Sequence, residues 1–173
     1  MAATAPGWFL GLEKATRAIN RAFAAAASIL ALAILVVVLI DVTLRWVAEP
    51  TIWANDAARY LLLYLFFFAL APALESGHHV AVDMFDRLLP ARVRPYQAHS
   101  AAVLSATFGA LLLWQLARLT SQAFADNRLA PATIPIPLRW IYILGPVGAA
   151  QFVLTALVQL GRAHWRAAPG GKA

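Results

Sequence analysis

Residues 22–40 read AFAAAASILALAILVVVLI, nineteen positions without a charge, closed by Asp41. As a helix rising about 1.5 Å per residue, this run covers about 28 Å, close to the hydrocarbon thickness of a bilayer. A membrane-spanning helix is the natural reading, and it decides the fold class. Outward from it, three more stretches lack Asp, Glu, Lys, Arg and His: 60–74 (YLLLYLFFFALAPAL), 100–117 and 140–161. The second is short, but it extends backward through Ile52, Trp53, Ala54, Ala57 and Ala58. The expected architecture is all-α and integral to the membrane, one domain over 1–173 with spans at about 22–44, 53–74, 98–118 and 140–161. Lys14, Arg17 and Arg21 imitate the basic start of a signal peptide. The apolar run behind them is long, however, and leads into Asp41 and Arg45 instead of a small-residue cleavage site, so an uncleaved helix is expected.

Composition agrees. The chain of 173 residues is 62% hydrophobic and 13% charged, against about 45–50% and about 25% in soluble domains. It has too few polar groups to cover a water-soluble globule, and too much apolar surface to stay disordered. With no cysteine, disulfides, thiolate metal sites and cysteine nucleophiles are excluded. Four spans leave no room for a large catalytic domain outside the membrane. The net charge of +6 is read as positive flanks of spans, not as a nucleic-acid surface. Lys and Arg before span one, between spans two and three and after span four number nine, against five in the other two loops. Both termini are therefore expected in the cytoplasm. Trp46, Trp53, Trp114, Trp140 and Trp165 fall near span ends, where an amphipathic ring suits the water boundary. Pro72 and Pro146 fall inside spans and are read as local packing features. Tails 1–12 and 167–173 are expected to be mobile.

Three stretches read as surface segments. Thr51–Arg59 follows Pro50, which favours a helix start, and sets Asp56 and Arg59 three apart on one face. It is either a partner-docking face or a solvated helix end. Val80–Leu89 (VAVDMFDRLL) places Val82, Phe85 and Leu89 at helical spacing among Asp83, Asp86 and Arg87, as in a short amphipathic helix lying at the membrane boundary. Arg92 and Arg94 beyond it suit anionic lipid headgroups. Arg128–Arg139 (RLAPATIPIPLR) carries too many prolines for a helix and is expected to run extended and polyproline-like, as a partner contact or a simple connector.

Little in the chain reads as catalytic chemistry. There is no glycine-rich phosphate loop, no nucleophile with its base, and no His pair on one helix face. His78 and His79 are adjacent, so on a helix they diverge by about 100°. His78 and His99 could hold a haem between them, which makes a haem-binding membrane anchor of a respiratory enzyme the alternative reading. Asp41 and Arg45 are four apart and can pair at the end of span one. No acid or base lies in the middle of a span, where a transporter places its substrate and ion sites. The chain reads as a non-catalytic accessory subunit.

Several motifs in order support a family. Asp41-Val42-Thr43-Leu44-Arg45-Trp46 with Pro50, Trp53, Asp56 and Arg59, then Gly77-His78-His79-Val80-Ala81-Val82-Asp83, then Pro135-Ile136-Pro137 with Tyr142, resemble the small membrane subunit (DctQ-like) of tripartite ATP-independent periplasmic (TRAP) transporters. The resemblance covers about Ala22 to Leu160. Asn55 stands where the family often has a second acid, and Glu75 where it often has a basic or neutral residue. The resemblance implies a secondary importer of organic acids in the bacterial inner membrane, driven by an ion gradient. Its coupling ion, usually sodium, would bind the large membrane subunit, and this chain would carry no cofactor. Implied partners are that large subunit, the periplasmic substrate-binding protein and membrane lipids. The implied roles are structural. Asp41 and Arg45 fix the end of span one, and Trp53, Asp56 and Arg59 anchor the outer segment. Gly77 turns the chain out of span two, His78 and Asp83 organise the cytoplasmic turn, and Pro135 and Pro137 set the approach to span four.

Overall fold

The computed structural model describes residues 6–47, 51–76, 94–127, 129–130 and 135–167. Helix α1 runs over Gly7–Val47 and α2 over Ala54–Glu75. Helix α3 covers Arg94–Asp126, α4 is a single turn at Leu138–Tyr142, and α5 covers Leu144–Ala167. Four segments are long and apolar enough to cross a membrane: α1, α2, Ser100–Asp126 of α3 and Leu138–Ala163 across α4 and α5.

Helix α1 is 41 residues long, about 60 Å, twice a bilayer's hydrocarbon core. The Pro6 carbonyl accepts its first backbone bonds, from Phe9 N at 2.9 Å and Leu10 N at 3.3 Å. The tail expected to be mobile over residues 1–12 is therefore helical from Gly7. The reason is packing: Phe9 is buried, and its ring lies over Gly161 of α5, where a Cβ would meet the ring at 2.6 Å.

Thr51–Arg59 is not a separate surface helix. After a turn at 52–53, α2 starts at Ala54 and continues unbroken through Arg59 into the apolar run. Its alanines favour helix, and nothing before Pro72 interrupts it. The expected amphipathic segment Val80–Leu89 lies outside the described residues.

The proline-rich stretch does not run straight. Leu129 and Pro137 form an antiparallel bridge, and Ala130 N donates to the Ile136 carbonyl at 2.9 Å. Prolines lack a donor, yet the carbonyls around them still accept, so a reversal can satisfy the backbone where a polyproline strand would leave it to solvent.

Pro146 marks the break between α4 and α5. It sits in the first turn of α5, where a missing N–H is tolerated. That missing donor would otherwise face the Tyr142 carbonyl four residues back. The Thr120 hydroxyl of α3 reaches this carbonyl at 3.0 Å, sharing its one proton with the Leu116 carbonyl at 2.8 Å.

The helices form an open row, not a closed bundle. Helix α5 is central, packed on α3 and on α2, while α1 lies mainly along α2. Ala71, Leu74, Phe152 and Ala156 form the core. The α2–α5 contact is close at Gly148, where a Cβ would stand 2.5 Å from the Phe67 carbonyl oxygen. Between α2 and α3 an apolar groove of about 590 Å³ stays open over Phe152. Ile29, Leu32 and Leu35 of α1 and Leu104, Leu111 and Trp114 of α3 point outward. Such surface is unstable in water and at home in lipid or against another membrane protein.

Candidate functional site

Two polar clusters stand at opposite ends of the row. At the end shared by the α1 C-terminus and the α2 N-terminus, Arg45 donates twice to Asp41 Oδ2, at 3.0 Å from Nε and 2.8 Å from Nη2. The Thr51 hydroxyl donates to the other carboxylate oxygen, Oδ1. Asp41 thus ties the last turns of α1 to the connection leading into α2. A cleft of about 180 Å³ lies beside it, lined by Val38, Asp41, Arg45, Ala54, Asn55 and Ala58. Asp56, in the first turn of α2 where a negative charge meets the positive end of the helix, is buried and pairs with Arg59 at 3.8 Å. The Trp53 carbonyl takes the first α2 bond, from Ala57 N at 3.0 Å, and its ring stays exposed. Five of the expected residues thus gather at one end: Asp41 and Arg45 on α1, Trp53 at the N-cap of α2, and Asp56 and Arg59 within it.

Pro135 and Pro137 belong to the α3–α4 connection, with Pro137 immediately preceding α4. Arg139 there reaches Asn127 Oδ1 at 3.1 Å. Asn127 adopts φ 47°, a left-handed turn that asparagine tolerates better than most residues. Gly77, His78 and Asp83 lie outside the described residues.

The second cluster was missed from the sequence. Where α1 begins and α2 ends, Asn20 is fully buried, with Thr16, Gln151 and Thr155 around it. Gln151 Nε2 donates to Asn20 Oδ1 at 2.8 Å, and Asn20 Nδ2 donates to Glu75 Oε2 at 2.6 Å and Thr155 Oγ1 at 3.1 Å. Above them Glu13 pairs with Arg17 and with Arg162, the latter at 3.1 Å. Gln159 Nε2 donates to the Leu74 carbonyl at 2.8 Å. A search for charges passes over amides, yet Gln151 and Thr155, four apart inside the fourth apolar run, were a visible signal. Polar side chains at that depth need partners on neighbouring helices.

Neither cluster resembles a reaction centre. Among the described residues no group of three His, Asp or Glu is placed to hold a metal. The buried cluster joins three helices, and the Asp41 cluster ties α1 to the connection leading into α2.

Residues 34–164 match the family described as tripartite ATP-independent periplasmic transporters, DctQ component. The chain belongs to this family. It is also similar to a sialic acid TRAP transporter small permease protein, SiaQ of Vibrio cholerae serotype O1, with 25% identity over 130 residues, 74% of this chain and 73% of that protein. No solved structure matches the chain. As a DctQ-family protein it is a small TRAP permease subunit, a non-catalytic component of a transporter and a multi-pass protein of the bacterial inner membrane. The family implies a large membrane subunit and a periplasmic binding protein as its companions.

Proposed function

We propose that this DctQ-family subunit braces the fixed scaffold of the large membrane subunit in an ion-gradient-driven importer of organic acids. The observation that carries the reading is the open row. Helices α1 and α3 turn broad apolar faces outward, and the buried amides join the chain's own helices, while Asp41 and Arg45 pair within α1. A slab with apolar faces suits a support, and a substrate route would need polar groups facing a midplane cavity.

In this reading the coupling ion, sodium, binds the large subunit, and this chain carries no cofactor. The relative's sialic acid supports the organic-acid class. Both termini face the cytoplasm, in keeping with the excess of Lys and Arg on that side. The end carrying Asp41, Arg45, Trp53, Asp56 and Arg59, with Pro135 and Pro137 in the neighbouring connection, then faces the periplasm and helps dock the binding protein. Gly77, His78 and Asp83 organise the cytoplasmic turn.

Mild-detergent purification of the tagged chain from native membranes, with mass spectrometry of what accompanies it, tests this. A large polytopic transport subunit is the expected companion, with no Soret band. Flavin or iron–sulfur subunits with a Soret band would overturn the reading in favour of a haem-binding anchor.

A further inference from the structure

The first fifteen residues of α1, Gly7–Arg21, precede its apolar run and add about 22 Å of helix beyond it. This arm has three faces. One is buried: Phe9, Thr16 and Asn20, locked to α5. A second is apolar and outward: Trp8, Leu12, Ala15 and Ile19, at spacings of four, three and four. It continues through Ala22 into the exposed surface of the span itself. The third is basic: Lys14, Arg17 and Arg21, at spacings of three and four, all exposed.

The acids do not share these outer faces. Glu13 is turned inward between Arg17 and Arg162, and Glu75 of α2 is engaged by Asn20. Among the described residues neither Lys14 nor Arg21 has an acidic partner. The arm's exposed charge is therefore positive, at Lys14 and Arg21, across the helix from an apolar stripe ending in an exposed tryptophan.

We propose that Gly7–Arg21 is a lipid-binding arm, with Trp8, Leu12 and Ile19 set into the headgroup boundary and Lys14 and Arg21 on anionic headgroups, while Arg17 is held by Glu13 and Glu75. Tryptophan and basic residues anchor a span where it leaves the bilayer, and each basic residue there adds to the attraction of an anionic leaflet. The positive charge of Lys14 and Arg21, without an acidic partner among the described residues, favours an anionic lipid surface over an apolar protein face. The assignment needs only the inner-membrane location and not the scaffold role. Because Phe9 and Asn20 clamp the arm to α5, the lipid contact would set the tilt of the whole row.

The chain has no cysteine, so single-site labelling is free of background. Leu12→Cys and Ile19→Cys, each carrying an environment-sensitive fluorophore, are placed in nanodiscs of phosphatidylcholine with or without phosphatidylglycerol. Quenching by aqueous acrylamide is the readout, with Leu32→Cys as a control inside the hydrocarbon. The expected result is shielding at both arm sites in the chain alone, stronger with phosphatidylglycerol. High salt, or Lys14→Glu with Arg21→Glu, should remove that increment, roughly fivefold in the shielded-to-exposed ratio per charge. Free quenching in both lipids would overturn the proposal, as would shielding indifferent to phosphatidylglycerol. Shielding that appears only with the large subunit present would make this face a protein interface instead. None of these outcomes bears on whether the large subunit co-purifies.

Discussion

Gln151 of α5 donates a hydrogen bond to the side-chain oxygen of Asn20 on α1 at 2.8 Å, across 131 residues of chain. Asn20 carries that bond and passes two more to Glu75 and Thr155, so one buried amide joins three helices. With Phe9 over Gly161 and Glu13 at Arg162, this amide fixes where along α5 helix α1 sits.

Replacing Asn20 by Leu should therefore destabilise the protein by about 1–3 kcal/mol, because Gln151 and Thr155 would be left buried without their partner. Gln151→Leu alone should cost less, and the double variant less than the sum of the two. Thermal unfolding in a mild detergent measures all three. Additive losses would mean that the amides do not act together.

Gly148 and Gly11 make a matched pair. A Cβ at Gly148 meets the Phe67 carbonyl at 2.5 Å, while one at Gly11 meets nothing within 4 Å. Gly148→Ala should force α2 from α5 and cost about 1–3 kcal/mol. Gly11→Ala should leave the protein unchanged or stabilise it by up to about 1 kcal/mol, since alanine has less freedom to lose in a helix. Unfolding midpoints of the two variants should move in opposite directions or differ clearly in size.

Thr120→Val removes the only donor recorded for the Tyr142 carbonyl among the described side chains. A loss of about 1 kcal/mol is expected, with Thr120→Ser close to wild type. Pro146→Ala restores an N–H four residues beyond that carbonyl, able to bond it if α4 and α5 join into one helix. In its presence Thr120→Val should cost measurably less. An unchanged cost in the double variant would break the link between the proline and the threonine.

Arg45→Glu and Asp83→Leu should each lower the yield of the complex with the large subunit, read by co-purification from membranes. For Arg45 the effect should exceed any change in the isolated chain's unfolding, because the guanidinium is exposed and exposed pairs contribute little to folding. Reversing both partners, Asp41→Arg with Arg45→Glu, should recover part of the yield. Normal yield from both single variants would remove these residues from the interface.

Much of the fold was legible in the primary structure. Four charge-free runs correspond to four helices long and apolar enough to cross a membrane, because lipid leaves the backbone little choice but helix. Asp41 and Arg45, four apart, pair as their spacing required, and Asp56 and Arg59, three apart, do likewise. Each of these is a local relationship, set by helical pitch. The reversal at Leu129–Pro137 was not legible, because proline content forbids a helix without saying which way the chain then turns.

The sequence by itself determined that this protein lives in a membrane, how many times it can cross, and which local ion pairs close its helix ends. Those properties depend on hydropathy and on spacings of three and four residues, which any single helix expresses alone. Only the tertiary structure decided that the helices stand in an open row, that Phe9 turns a supposed tail into a docked arm, and that Asn20, Glu75, Gln151 and Thr155 meet. These depend on side chains 55 to 135 residues apart being brought within hydrogen-bond reach. In lipid, where apolar contact alone discriminates poorly between helix faces, such small residues and buried amides choose the register.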